Sequence, residues 1–261
     1  MKLDDAYANG AYIAGADAFP PRWATEAEAF RQDLGDRAKL DIPYDQGERH
    51  RFDLFLPAET PKGVFVFVHG GYWLAFDKSS WSHLAAGALA QGWAVAMPSY
   101  DLCPTVGIAE ITKQIAAAVT RIGQEVAGPI SLAGHSAGGH LVARMLDKAI
   151  LPVEIGKRLQ HVMPISPLSD LRPLLHTSMN DKFAMDQAAA EAESPILMQD
   201  RYEVPVTVWV GGDERPAFLD QAQWLAEAWG AGHVVAEGLH HFDVVDPLSD
   251  PDSDIISRLV K

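Results

Sequence analysis

The stretch Ile130-Ser131-Leu132-Ala133-Gly134-His135-Ser136-Ala137-Gly138-Gly139-His140-Leu141-Val142-Ala143-Arg144 decides how this chain is read. It opens on a short apolar run of strand type, turns at Gly134–Gly138, and continues into a helix-forming segment. A turn this sharp needs small residues two positions before and two positions after its centre. Gly134 and Gly138 fill those places around Ser136. The geometry holds Ser136 in a strained backbone and lifts its Oγ clear of the sheet edge. The helix that begins there aims its free N–H groups at any developing oxyanion. Ser136 is therefore the expected nucleophile. A glycine-rich turn of purely structural use is the competing reading, and the flanking strand and helix weigh against it. His135 reads as packing support. His140, on the following helix, reads as a satisfied polar residue rather than a ligand.

The same strand-then-helix rhythm extends in both directions. Val64-Phe65-Val66-Phe67-Val68 is β-branched and aromatic throughout, as expected of a strand covered on both faces. Segments 93–97, 130–133, 162–165 and 206–210 repeat this form, and 233–237 is a weaker version. Two further strands are expected at 39–44 and 51–56, the second with one wet face. Helices are expected at 80–90, 108–126, 139–149, 216–230 and 251–260. In the second of these, Ile108, Ile111, Ile115, Val119 and Ile122 form one apolar stripe. This alternation predicts an α/β fold: a mostly parallel central sheet with helices on both faces, in one domain spanning 1–261. Residues 1–37 read as an irregular N-terminal arm with a short helical stretch near Thr25–Gln32. Residues 170–203 contain no strand and read as a small helical insertion over the site.

Ligands in such folds bind beyond the carboxyl ends of the strands, so the loops there carry the chemistry. Val64–Val68 runs directly into His69-Gly70-Gly71-Tyr72-Trp73. Two glycines let this backbone approach a substrate closely. The amides of Gly70 and Gly71, with that of Ala137, form the expected oxyanion hole, and Tyr72 and Trp73 the expected substrate-binding walls. A serine hydroxyl needs a base within hydrogen-bond reach, and the base needs an acid to orient it. After the strand at 206–210 comes Gly211-Gly212-Asp213-Glu214-Arg215, where Asp213 is the expected acid and Glu214 the alternative. After the last strand comes Leu239-His240-His241-Phe242-Asp243. Here His241 is the expected base and His240 the alternative, with Phe242 anchoring the loop. One hydrogen-bonded chain is expected, from Ser136 to His241 to Asp213.

Composition narrows the partners. A formal net charge of −14 repels phosphate backbones and argues against nucleic-acid binding. No apolar run is long enough for a membrane span, and the acidic start Met1-Lys2-Leu3-Asp4-Asp5 lacks the pattern of a secretory signal. The single cysteine, Cys103, excludes an intramolecular disulfide and fits a cytoplasmic protein. No H-E-x-x-H, C-x-x-C, G-x-G-x-x-G or Walker motif is present, so neither a metal nor another cofactor is expected. The expected partner is a small-molecule acyl substrate; the oligomeric state is left open.

On His69-Gly70-Gly71-Tyr72-Trp73, Gly134-His135-Ser136-Ala137-Gly138-Gly139-His140-Leu141 and His241-Phe242-Asp243, the chain resembles the α/β-hydrolase superfamily. Within it, the resemblance is to the arylformamidase (kynurenine formamidase) branch. Tyr72-Trp73 departs from the HGGG or HGGA usual in related esterases, and Ser166–Leu174 also looks like the formamidase side. The resemblance covers roughly residues 40–245. It implies a metal-independent triad Ser136–Asp213–His241 and small formylated arylamines or esters as substrates. Tyr7-Ala8-Asn9 would correspond to an arm folding over the site. A generic short-chain carboxylesterase or thioesterase is the alternative function. A hydrolase-fold binding module without catalysis is the remote one, which covalent labelling by a fluorophosphonate would separate.

Overall fold

The computed structural model describes residues 3–260; Met1 and Lys2, part of the stretch read above for a secretory signal, lie outside them. The strands are β1 Ala38–Pro43, β2 Arg51–Phe55, β3 Val64–Val68, β4 Ala94–Pro98, β5 Ile130–His135, β6 Leu159–Ile165, β7 Thr207–Gly211 and β8 Gly232–Ala236. They form one sheet in the order β1-β2-β4-β3-β5-β6-β7-β8. β2 is antiparallel to β1 and β4, and every pairing from β4 across to β8 is parallel. All of these strands were expected from the sequence, with ends displaced by at most three residues.

The helices are α1 Phe19–Leu34, α2 Ala86–Ala90, α3 Ile108–Glu125, α4 Ala137–Arg144, α5 Val153–Gly156, α6 Asn180–Phe183, α7 Gln187–Glu193, α8 Pro216–Trp229 and α9 Asp254–Leu259. β3 shows how the sheet separates two cores. Val64, Val66 and Val68 pack with α3, α4 and α8, while Phe65 and Phe67 pack with Trp23 of α1 and Ile255, Ile256 and Leu259 of α9. Alternate side chains of a strand point to opposite faces, so one apolar run serves both layers. The isoleucine and valine stripe of α3 is fully buried. No helix among the described residues is long and apolar enough to cross a membrane.

Two readings of the sequence need correction. The arm is not irregular up to residue 37, because α1 begins at Phe19. Pro20 and Pro21 do not break it, since they stand in its first turn, where a missing N–H forfeits no intrahelical bond. Residues 170–203 are helical, with 3₁₀ turns at Arg172–His176 and Pro195–Leu197 around α6 and α7. They are fastened to the α3–α4 side, however, not laid over the cavity described below. Glu193 of α7 accepts from Thr112 Oγ1 at 2.7 Å and pairs with Arg144 Nε at 3.4 Å. Its carbonyl accepts from His140 Nε2 at 2.8 Å.

The strand–turn–helix at β5 and α4 depends on backbone contact. A Cβ on Gly138 would stand 2.0 Å from Val68 O and 2.6 Å from His69 O. Gly138→Ala must therefore separate β3 from α4, and we expect it to abolish soluble, cooperatively folding protein. Circular dichroism melts of the purified variant check this; a wild-type transition would show that the turn can relax.

Candidate active site

β3 and β5 are parallel neighbours with Val68 opposite Gly134. Their carboxyl ends therefore deliver His69–Gly71 and Ser136 to the same place. Ser136 has φ 57° and ψ −117°, left-handed backbone that costs a non-glycine residue about 1–3 kcal/mol. The surroundings hold it there: Ser136 N donates to Ile165 O at 2.8 Å, and Ser136 O accepts from His140 N at 3.1 Å. A Cβ on Gly70 would come within 3.1 Å of Ser136 Cβ, so the Gly70 backbone lies directly against the serine. The loop is fixed from behind by His69. Its Nδ1 donates to Gly70 O at 2.8 Å, and its ring stacks on Tyr100 at 4.4 Å between centroids. Burial holds the His69 pKa down at about 4, so this imidazole is a neutral structural donor.

β7 and β8 bring the second half. Beyond Gly211 the chain turns tightly, with Glu214 N donating to Gly211 O at 3.4 Å. This folds the Glu214 carboxylate back, where Oε1 accepts from Gly211 N at 2.9 Å and from Ser166 Oγ. Its Oε2 accepts from His241 Nδ1 at 2.6 Å. A proton committed to Nδ1 leaves the Nε2 lone pair free to accept another. The imidazole lies between Phe218, at 4.3 Å between centroids, and His135, at 4.6 Å. Burial, followed by the neighbouring His241, pushes the His135 pKa well below the ordinary imidazole value.

Ser136 and His241 open onto one cavity of about 390 Å3. Its walls are largely aromatic. Trp23 packs on Trp81 at 4.7 Å between centroids, on Phe242 at 5.5 Å and on Phe76 at 6.0 Å, and all four line it. The remaining side is closed by Tyr7–Gly10 of the arm. Tyr72 Oη donates to Tyr7 O at 2.7 Å, and Gln221 Nε2 donates to Tyr7 Oη at 3.1 Å. Arg215 secures the arm from outside, pairing with Asp5 at 3.0 Å and lying 3.6 Å over the Tyr12 ring. Among the described residues, no three His, Cys, Asp or Glu side chains are grouped to hold a metal ion.

A family model described as alpha/beta hydrolase fold matches residues 65–237, which contain the elbow and the glycine loop. The chain belongs to the α/β-hydrolase family. A crystal structure from Silicibacter sp. TM1040, provisionally described as a thioesterase, is 67% identical, covers 100% of both chains and superposes with a TM-score of 0.99. The kynurenine formamidase of Danio rerio is 26% identical over 236 residues, covering 85% of this chain and 80% of the relative. A hyperthermophilic esterase from Pyrobaculum calidifontis shares the fold at 18% identity, with a TM-score of 0.71 over 94% of this chain and 92% of that one.

The hydrolase site departs from the sequence reading at three points besides the expected Ser136–His241 hydrogen bond, which is not formed although both residues line one cavity. The carboxylate that reaches His241 belongs to Glu214; Asp213 is exposed, its backbone N–H held by Leu239 O at 2.9 Å. Trp73 does not line the cavity but is fully buried, packed on His140 at 5.1 Å and Phe183 at 5.5 Å between centroids. Trp73→Ala should therefore act on stability, with a loss of about 3–5 kcal/mol on unfolding. Chemical denaturation of the variant checks this, and near wild-type stability would be the contrary result. The third point is the cover, which the arm supplies. Ser136, His241, Gly71 and Tyr72 line the cavity, Gly70 stands behind the serine, and Ala137 opens α4, two residues before the helix start expected from the sequence. His240 is engaged elsewhere: its backbone N–H donates to Asp243 Oδ1 at 2.7 Å and its Nδ1 accepts from the Phe242 N–H at 3.1 Å. Trp23, Trp81 and Phe76 were missed; their apolar spacing reads as core, and much of each side chain is core.

Proposed function

We propose that this hydrolase is a metal-independent serine enzyme that removes a small acyl group from an aromatic leaving group, joined as a formamide or an ester. The observation that carries this is Ser136 on its elbow, opening with the His241–Glu214 pair onto one aromatic-walled cavity. In this reading His241 Nε2 takes the Ser136 proton as Oγ attacks the acyl carbon. The oxyanion forms beside the amides of Gly70, Gly71 and Ala137, each such donor contributing about 2.7–4 kcal/mol at the transition state. Glu214 stabilises the imidazolium without taking its proton. His241 then protonates the departing arylamine or phenol, and water, activated the same way, releases the acid and restores Ser136.

The formamidase likeness on the Danio rerio sequence supports an N-formyl arylamine. The 67% identical relative favours a thioester as the second reading. Substrate comparison on the purified protein tests these: the uncharged formamide formanilide, S-phenyl thioacetate and p-nitrophenyl esters from acetate to octanoate. The cavity is bounded by Tyr72, the aromatic walls and the arm, so kcat/KM should fall steeply with acyl length. Preference for octanoate over acetate and butyrate would overturn the short-acyl reading, and kcat/KM for S-phenyl thioacetate well above that for the formamide and the aryl acetate would select the thioesterase.

A further inference from the structure

Asn9 is a polar residue that the triad leaves unused. It lines the cavity with Ser136 and His241 and is only 6% exposed. Neither its amide oxygen nor its amide nitrogen has a hydrogen-bond partner. Its backbone position makes this notable. Asn9 immediately precedes the 3₁₀ turn Gly10–Tyr12, where an asparagine side chain ordinarily accepts from a following N–H, yet it makes no such bond. A buried primary amide left unpaired costs about 1–3 kcal/mol. Two indole N–H groups of the same cavity, on Trp23 and Trp81, are likewise unpartnered. No Lys, Arg, Asp or Glu is among the lining residues. His135, at the elbow beside Ser136, lines the cavity too with both ring nitrogens unpartnered, so the unpaired groups are all neutral donors and acceptors, and away from the elbow the unpaired side-chain acceptor is the Asn9 amide oxygen.

We infer that Asn9 selects the leaving group: the preferred substrate is an uncharged aromatic acyl compound carrying a carboxamide or ketone that pairs with the Asn9 amide. This rests on Ser136 being the nucleophile, since it places the acyl end at the elbow and the aryl ring among the tryptophans. A site built to hydrogen-bond a group discriminates against the analogue lacking it, because the site's own polar atoms are then stranded. A charged substituent, carboxylate or ammonium, would enter this cavity without a counter-ion and be disfavoured.

The test compares 3- and 4-carbamoylphenyl acetate with phenyl acetate and 4-acetoxybenzoate on the wild type, Asn9→Leu and Asn9→Ala. In the wild type one carbamoyl isomer should exceed phenyl acetate in kcat/KM by at least about tenfold, the worth of one net hydrogen bond. In both variants that ratio should collapse towards one, and the carboxylate should be the poorest substrate of the wild type. A wild type without the preference, variants that keep it, or a favoured carboxylate would each overturn the assignment. Calorimetric binding of 3- and 4-hydroxybenzamide and phenol to Ser136→Ala, with and without Asn9→Leu, separates this from the catalytic reading. If no ester is turned over but a hydroxybenzamide still binds at least about tenfold better through Asn9, the catalytic reading fails and the recognition stands. Equal binding overturns the recognition itself.

Discussion

Ser136→Ala should lower turnover of any substrate by roughly five to six orders of magnitude, as loss of a serine nucleophile does when base and oxyanion donors remain. The effect is this large because the remaining groups have nothing to activate. His241 can accept a proton, but the hydroxyl placed to attack the acyl carbon is gone. The fold should survive. Alanine carries the same left-handed backbone at φ 57° that serine already carries, and the bonds that hold the turn run through the main chain to Ile165 and His140. Steady-state kinetics and fluorophosphonate labelling check the prediction together. Residual activity above a few per cent, with contamination excluded, would remove Ser136 from the mechanism.

The second large effect separates two adjacent carboxylates. Glu214→Gln should lower kcat by about 10⁴-fold, the loss seen when the acid of such a triad becomes an amide. An amide can donate to Nδ1, which favours the wrong tautomer of His241 and leaves the imidazolium without its counter-charge. It would also disturb the two further bonds that Glu214 accepts, from Gly211 N and Ser166 Oγ. Asp213→Asn, at an exposed side chain, should leave kcat within about twofold, as surface substitutions away from such features usually do. The paired measurement is kcat for both variants on p-nitrophenyl acetate. A damaged Asp213 variant beside an active Glu214 variant would reverse the assignment.

These two residues also show how far the sequence can be read. The strands and the elbow were legible because each depends on local rules: β-branched runs, alternation with helices, and glycines where backbones touch. His241 was legible because it follows the last strand and its neighbour Phe242 is apolar. The choice between Asp213 and Glu214 was not, because both follow the same two glycines. What decides it is a turn closed on Gly211, which folds the longer side chain inward while Leu239 O holds the Asp213 N–H. Tyr72 and Trp73 hid a similar decision. Both have positive φ, 53° and 55°, so the chain coils at this point; Tyr72 lines the cavity while Trp73 enters the core. The insertion at 170–203 misled because its apolar residues, Leu171, Leu174 and Phe183, are equally suited to a lid and to a core, and here they are buried core.

Glu214 and Arg215 are consecutive. One holds the imidazole and the next holds the arm through Asp5 and Tyr12. The cover and the His241–Glu214 pair are therefore not independent modules. For anyone grafting specificity between members of this family, the exchangeable cassette is residues 3–12 together with the 211–216 turn. An arm transplanted alone would arrive without its latch, and a turn transplanted alone would carry a latch with nothing to close.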